Sequence, residues 1–263
     1  MIADIDITLF EAANQIAGRS FTLDALMALA MENPLVKGGP IAACFLFAWW
    51  YRADAETLAK RRATLLLTLA ALFLIAPVMK LVSSQGGLSP RPLVQSERTI
   101  VLESGALRPL SQVAYTAPET GLAAGLTRGA KGGTVAPNDL ASFPSDHAAL
   151  FAAFAAGIFL AMRTAGLVAL GWGVFGIMLP RVATGMHWPS DMAAGALAGL
   201  AVLAAVLLAG RTVLVGPVAA VQVWAEKCPG WTQALLFLLL AEVASAMGTL
   251  QRLAELASGI LGR

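Results

Sequence analysis

Little in this chain suits a metal centre or a disulfide framework, because its 263 residues include two cysteines and two histidines. Cys44 and Cys228 lie within or beside apolar segments and form no CxxC spacing, which leaves them as buried structural thiols. Charge is scarce too. Only 13% of residues are Asp, Glu, Lys or Arg, and a net charge of +2 with no basic stripe argues against a nucleic-acid partner. The N-terminus lacks the basic n-region of a secretory signal, since Met1 to Phe10 begins with acidic residues, and no cleavable signal is expected. What the chain has in quantity is apolar surface. It is 58% hydrophobic with a mean hydropathy of +0.73, far beyond an ordinary soluble domain.

Charge-free stretches run from Gly38 to Tyr51, Thr64 to Met79, Ala148 to Met162, Thr164 to Pro180 and Met192 to Gly210, and less cleanly from Pro229 to Ala241. Most fall short of the roughly 20 residues that cross a bilayer, so the spans must extend into polar flanks or be shielded by neighbours. The expectation is an all-α polytopic membrane bundle of five or six transmembrane helices, with 1–263 as a single domain. Ahead of the first span, two short helices are expected within 5–31. Leu9, Ala12, Ala13 and Ile16 recur at helical spacing and suit a helix lying along the interface, and Asn33-Pro34 ends the second helix. The long loop 81–143 is rich in Gly, Pro, Ser and Thr around Ser111 to Pro137 and reads as mostly irregular, with one short amphipathic helix.

Threading the spans alternately puts Arg52 to Ala63, Arg163 and Arg211 on one side. The N-terminal segment, the long loop and the turn from Arg181 to Pro189 fall on the other. Short basic loops stay in the cytoplasm, whereas a long loop translocates despite its arginines. Met1 to Lys37 carries five carboxylates against two cations, so the second side is expected outside.

Both histidines sit on that second side, each at the edge of an apolar run. Pro144 and Ser145 precede a long Ala/Phe/Leu run, as at a helix start, where free N–H groups and the helix dipole bind anions. Helix capping alone also accounts for them. Asp146 and His147 follow directly. In the second cluster Pro189 suits the first turn of a helix, so Asp191 falls in that turn with His187 just ahead. Asp191 there can reach back to one imidazole nitrogen and support positive charge while the other attacks phosphorus, or simply favour the helix dipole. Arg181 follows seventeen uncharged residues, where an ionisable group is costly; it is either functional or a snorkelling anchor. Lys80 ends another apolar run, and Pro90 and Pro92 restrict Arg91, whose planar fork suits phosphate oxygens. Lys80 as a membrane anchor and Pro-Arg-Pro as a plain loop are the simpler readings of those two. A nucleophile, a proton donor and fixed cations gathered at one membrane face are what phosphoester cleavage without a metal requires.

Lys80…Arg91-Pro92, Pro144-Ser145-Asp146-His147 and Arg181-(five residues)-His187-(three residues)-Asp191 resemble the three signature motifs of the type 2 phosphatidic acid phosphatase superfamily. Phe143-Pro144-Ser145-Asp146-His147 is similar in particular to its bacterial undecaprenyl pyrophosphate phosphatases. Three positions depart from the pattern: ten residues separate Lys80 from Arg91, more than in the family; Asp146 stands where glycine is usual; and Pro180 replaces a serine.

The resemblance implies a helical membrane core in which His187 attacks phosphorus to form a phosphohistidine, Asp191 orients it, and His147 protonates the leaving group and then activates water. It implies that Arg91, Arg181, Ser145, Asp146 through its backbone N–H, and Lys80 cradle the phosphoryl oxygens. No cofactor or metal is implied. The substrate would be a membrane lipid phosphate, foremost undecaprenyl diphosphate cleaved to undecaprenyl phosphate. Phosphatidate or phosphatidylglycerol phosphate hydrolysis, or lipid phosphotransfer, is the alternative within enzymes. A non-catalytic lipid transporter or binding protein is the alternative outside them, and it fits less well because transporters place ionisable groups or broken helices near mid-membrane.

Overall fold

The computed structural model describes residues 2–85, 90–94, 100–101, 107–108, 115–132, 141–250 and 252. It is an all-α helical architecture of membrane type. In chain order the helices are α1 (Ile2–Asn14), α2 (Phe21–Glu32), α3 (Pro34–Lys37), α4 (Gly39–Trp50), α5 (Ala55–Gln85) and α6 (Gly121–Gly132). Then come α7 (Asp146–Ala161), α8 (Arg163–Trp172), a π-helical turn (Gly173–Met178), α9 (Leu179–Ala183), α10 (Pro189–Gly210), α11 (Val215–Lys227) and α12 (Pro229–Ala244). A two-residue antiparallel ladder pairs β1 (Ile100–Val101) with β2 (Leu107–Arg108) inside the long loop.

Among the described residues, three helical stretches are long and apolar enough to cross a membrane: Ala55–Ser83, Arg163–Ala183 and Pro189–Gly210. Gly39–Trp50, Asp146–Ala161 and Pro229–Ala244 are shorter apolar helices. These correspond to the six apolar runs of the sequence. Leu160, Leu167, Phe175, Leu197, Leu208 and Phe237 are all more than half exposed, which water would penalise and lipid tails would not.

The basic stretch expected as a loop over Arg52 to Ala63 is largely helical. Asp54 accepts the Thr57 N–H at 2.9 Å and so starts α5 early, and Lys60 pairs with Glu56 one turn apart. At its other end α5 continues past Lys80 to Gln85, with Ser83 Oγ bonding back to the Lys80 carbonyl at 3.0 Å, so Lys80 lies within a helix and the loop begins later than residue 81.

The chain divides into two compact units. One comprises Asn33–Ala76, Leu150–Gly173 and Gly199–Arg263. In it Asn33, expected only to help end the second helix, also caps α3, accepting from Leu35 and Val36. Phe45 packs between Trp49 and Phe154, and Arg61 donates to the Tyr51 carbonyl at 2.7 Å, satisfying the end of α4. Small residues let these helices close up: a Cβ at Gly157 would overlap Thr68, and one at Gly38 would overlap Ala244.

The other unit comprises Met1–Glu32, Pro77–Ala149 and Val174–Ala198. Its α1 leaves outward part of the apolar stripe expected to lie along the interface. Leu9 and Ala12 are exposed, while Phe10, Asn14 and Ala17 face inward. The reason is local: Phe10 meets Trp188 edge-on at 5.3 Å and stacks near Tyr115 at 6.3 Å, forming with Ala148, Val182 and Met192 the core beneath the histidines. The expected short helix in the loop is α6, which buries Ala123, Ala124 and Thr127 and exposes Leu122 and Arg128.

Candidate active site

The starts of α7 and α10 meet at the site. Ser145 caps α7, its Oγ accepting from the Ala148 N–H at 3.3 Å, and its own N–H donates to the Asp191 carbonyl at 3.2 Å. The close approach requires a glycine, because a Cβ on Gly195 would lie 2.1 Å from the Ser145 carbonyl oxygen. The first turn of α10 is capped twice by carboxylates. Asp191 Oδ2 accepts from the Trp188 N–H at 2.9 Å, and Asp6 of α1 accepts from both the N–H and the hydroxyl of Ser190, at 2.8 and 2.6 Å.

His187 is buried, and its Nδ1 lies 2.9 Å from the Ser142 carbonyl oxygen. A carbonyl only accepts, so Nδ1 carries the proton and the lone pair of the neutral ring is on Nε2. The sequence suggested Asp191 for this orienting bond. Its Oδ2 reaches only 3.8 Å from Nδ1 and is bonded instead to the Trp188 N–H. Burial lowers the His187 pKa below the usual 6.5 and nearby Arg91 adds to this, while Asp191 pulls it upward.

Arg181 is buried in α9, just after the π-helical turn, an irregularity that recurs at functional sites. Its guanidinium donates to the carbonyls of Ile177 and Met31, at 3.0 and 3.4 Å. Arg91 donates to the Met186 carbonyl at 2.6 Å. The preceding Pro90 pairs with Ala141 in an isolated antiparallel bridge, and its carbonyl accepts from the Trp188 indole at 2.9 Å. Arg181 lies within electrostatic reach of Asp146 and Arg91, and His187 within reach of Arg91, Asp191 and Asp146. At His147 the ring Nδ1 and the backbone N–H each lie 2.7 Å from Asp146 Oδ1. Lys80 is exposed on α5 and is joined by no hydrogen bond or ion pair to these groups among the described residues. Nor do three His, Cys, Asp or Glu side chains gather there in a metal-holding arrangement.

Several residues that build the site carried no signal in the sequence reading. The four successive carbonyls from Ala183 to Met186 each accept from a different place: Asn14 Nδ2 at 2.8 Å, the Tyr115 hydroxyl at 3.0 Å, the Leu93 N–H at 2.9 Å and Arg91 at 2.6 Å. Burial pushes the Tyr115 hydroxyl up to about 12, so it remains a donor at any physiological pH. Gly185 makes the turn possible with a φ of +74°. It is the one of these that the sequence advertised, as a glycine between Thr184 and Met186 in an otherwise helical stretch.

Two motif histidines, two arginines and a capped helix start have thus been brought to one end of one unit. Residues 95–213 match the family model of the PAP2 superfamily. This stretch takes in Ser145, Asp146, His147, Arg181, His187 and Asp191, and leaves Lys80 and Arg91 outside it. A domain of this superfamily implies phosphatase activity on lipid phosphates. No curated protein and no solved structure matches the chain.

Gly185→Ala would place a Cβ 2.6 Å from the Tyr115 ring and 3.0 Å from the Leu93 nitrogen, in a backbone region that itself costs an L-residue about 1 to 2 kcal/mol. We expect a lower melting temperature in detergent for this variant. Gly171→Ala, whose Cβ would meet nothing within 4 Å, should leave melting unchanged or raise it slightly. Equal melting of the two variants would show that the turn does not need its glycine.

Proposed function

We propose that the chain is a metal-independent hydrolase of lipid phosphates or diphosphates working through a phosphohistidine on His187, with undecaprenyl diphosphate as the foremost substrate. The observation that carries this reading is the His187 bond to the Ser142 carbonyl, which commits Nδ1 and gives Nε2 the lone pair beside Arg91. Nε2 attacks phosphorus, the P–O bond to the lipid breaks, and His147 protonates the departing oxygen. Water then gives a proton to His147 and cleaves the P–N bond, releasing phosphate. Arg91 and Arg181 oppose the negative charge that spreads over the phosphoryl oxygens, the Ser145 hydroxyl has a proton to donate, and the Asp146 backbone N–H lies at the helix start. Asp191 supports the imidazolium electrostatically across 3.8 Å and fixes the turn through Trp188. The polyprenyl substrate is supported by the resemblance of Phe143-Pro144-Ser145-Asp146-His147 to the bacterial enzymes that use it.

Phosphate release from a panel of undecaprenyl diphosphate, phosphatidate and phosphatidylglycerol phosphate, in detergent with EDTA, tests this. His187→Ala should abolish release while remaining folded. Because the folded His187 pKa is lowered, the ring stays neutral as pH falls through 6.5, and the acid limb of kcat/KM should lie below that value. Release by His187→Ala, or dependence on an added divalent ion, would sink the mechanism. Preference for another lipid would change the substrate alone, and silence toward all of them would favour a binding protein.

We place the site at the outer face of a bacterial plasma membrane, on the strength of the acidic N-terminal segment and the basic start of α5. In a background lacking Cys44 and Cys228, an impermeant thiol reagent applied to intact cells should label Glu119→Cys and spare Ala55→Cys. The reverse pattern would put the site in the cytoplasm.

Lys80 is the remaining member of the proposed cradle. If it contacts phosphate, Lys80→Ala and Arg91→Ala should lower kcat/KM comparably, each losing a charge-assisted contact of about 1.5 to 3 kcal/mol. Near-normal turnover in Lys80→Ala beside a crippled Arg91→Ala would remove Lys80 and keep the rest.

A further inference from the structure

Asp146 has a carboxylate where the family motif has no side chain. We propose that it is a positioning residue for His147, holding the imidazole by Nδ1 so that the proton delivered to the leaving oxygen comes from Nε2. The inference rests on the phosphatase reading above and adds to it a residue that the family pattern does not supply.

The geometry is specific. Asp146 Oδ1 is 2.7 Å from Nδ1, and an ionised carboxylate can only accept, so Nδ1 carries hydrogen and any proton His147 gives or takes at the substrate passes through Nε2. The same oxygen accepts the His147 backbone N–H, which fixes the carboxylate over its own helix turn. Fold stability does not account for the pair. The Asp146 side chain is 56% exposed and that of His147 is 24% exposed, and exposed ion pairs contribute little. Phosphate binding does not account for it either, because a carboxylate repels a phosphoryl group unless cations answer it. The Arg181 guanidinium lies within reach to do so. In the first step the electron pair of the breaking P–O bond stays on the lipid oxygen, which takes the Nε2 proton. The ring, still bonded through Nδ1, then receives a proton at Nε2 from the water that cleaves the P–N bond.

A positioning role can be separated from a structural one by the leaving group. An alkoxide leaves poorly without a proton, whereas p-nitrophenolate leaves readily. We would measure kcat/KM for dioctanoyl phosphatidate and for p-nitrophenyl phosphate with the purified full chain, comparing wild type, Asp146→Gly, Asp146→Asn and His147→Ala. General acid catalysis contributes about 10²- to 10⁴-fold, and loss of its positioning residue should remove about tenfold or more of that from the phosphatidate reaction. The aryl phosphate should fall far less. Asp146→Asn keeps an acceptor oxygen for Nδ1 and should recover part of the loss, and it stands in should the glycine variant fail to fold.

An equal fall on both substrates in the Asp146 variants, or no fall, would overturn the inference if His147→Ala still shows the selective loss. Loss of selectivity in His147→Ala as well would remove the acid assignment and the inference together. Failure of the wild-type chain to release phosphate from both probes and from undecaprenyl diphosphate would count against the phosphatase reading itself, and the inference would fall with it.

Discussion

Four carbonyl oxygens in a row, from Ala183 to Met186, hold the site together. A helix that ends leaves its last carbonyls without partners, and in a water-poor setting each unmade bond costs about 1 to 3 kcal/mol. Here the chain supplies a different donor to each one. α1 sends Asn14, the long loop sends Tyr115, and the short run Pro90 to Leu93 sends a backbone N–H and the Arg91 guanidinium. Satisfying the turn therefore assembles the proposed phosphate cradle: the same bonds that complete the end of α9 deliver Arg91 to the neighbourhood of Arg181 and His187.

The few carboxylates of the site unit are used in a matching way on backbone donors. Asp6 and Asp191 cap α10, Asp24 accepts from Gly18 and Glu119, and Glu32 accepts from Leu122. These bonds tie α1 and α2 to the loop and to the start of α10. Asp146 is engaged in turn by His147.

The sequence made the helix starts legible because capping has a local grammar: Pro144-Ser145 before an apolar run and Pro189 before another are where α7 and α10 begin. The six apolar runs were legible for the same reason, since hydrophobicity is counted residue by residue. Less visible was anything depending on a backbone oxygen. No side-chain pattern announces that the Ser142 carbonyl takes His187 Nδ1, so Asp191 looked like the partner. The inward face of α1 had no mark in the sequence, because Leu9 and Ile16 are as apolar as Phe10, and it is Phe10 that enters the aromatic slot between Tyr115 and Trp188. Polar flanks such as Arg52 to Ala63 read as loop by composition, yet a cap at Asp54 and a Glu56–Lys60 pair were sufficient to keep them helical.

The contact between Gly195 and the Ser145 carbonyl joins two helix starts through a gap with no room for a methyl group. Each start carries one half of the proposed chemistry, with Ser145 and His147 on one side and His187 and Asp191 on the other. A small apolar molecule able to wedge itself beside Gly195 from the lipid phase would part the halves without competing for phosphate. Inhibition of that kind would be insensitive to substrate concentration, and it would need none of the negative charge that keeps phosphate mimics out of membranes.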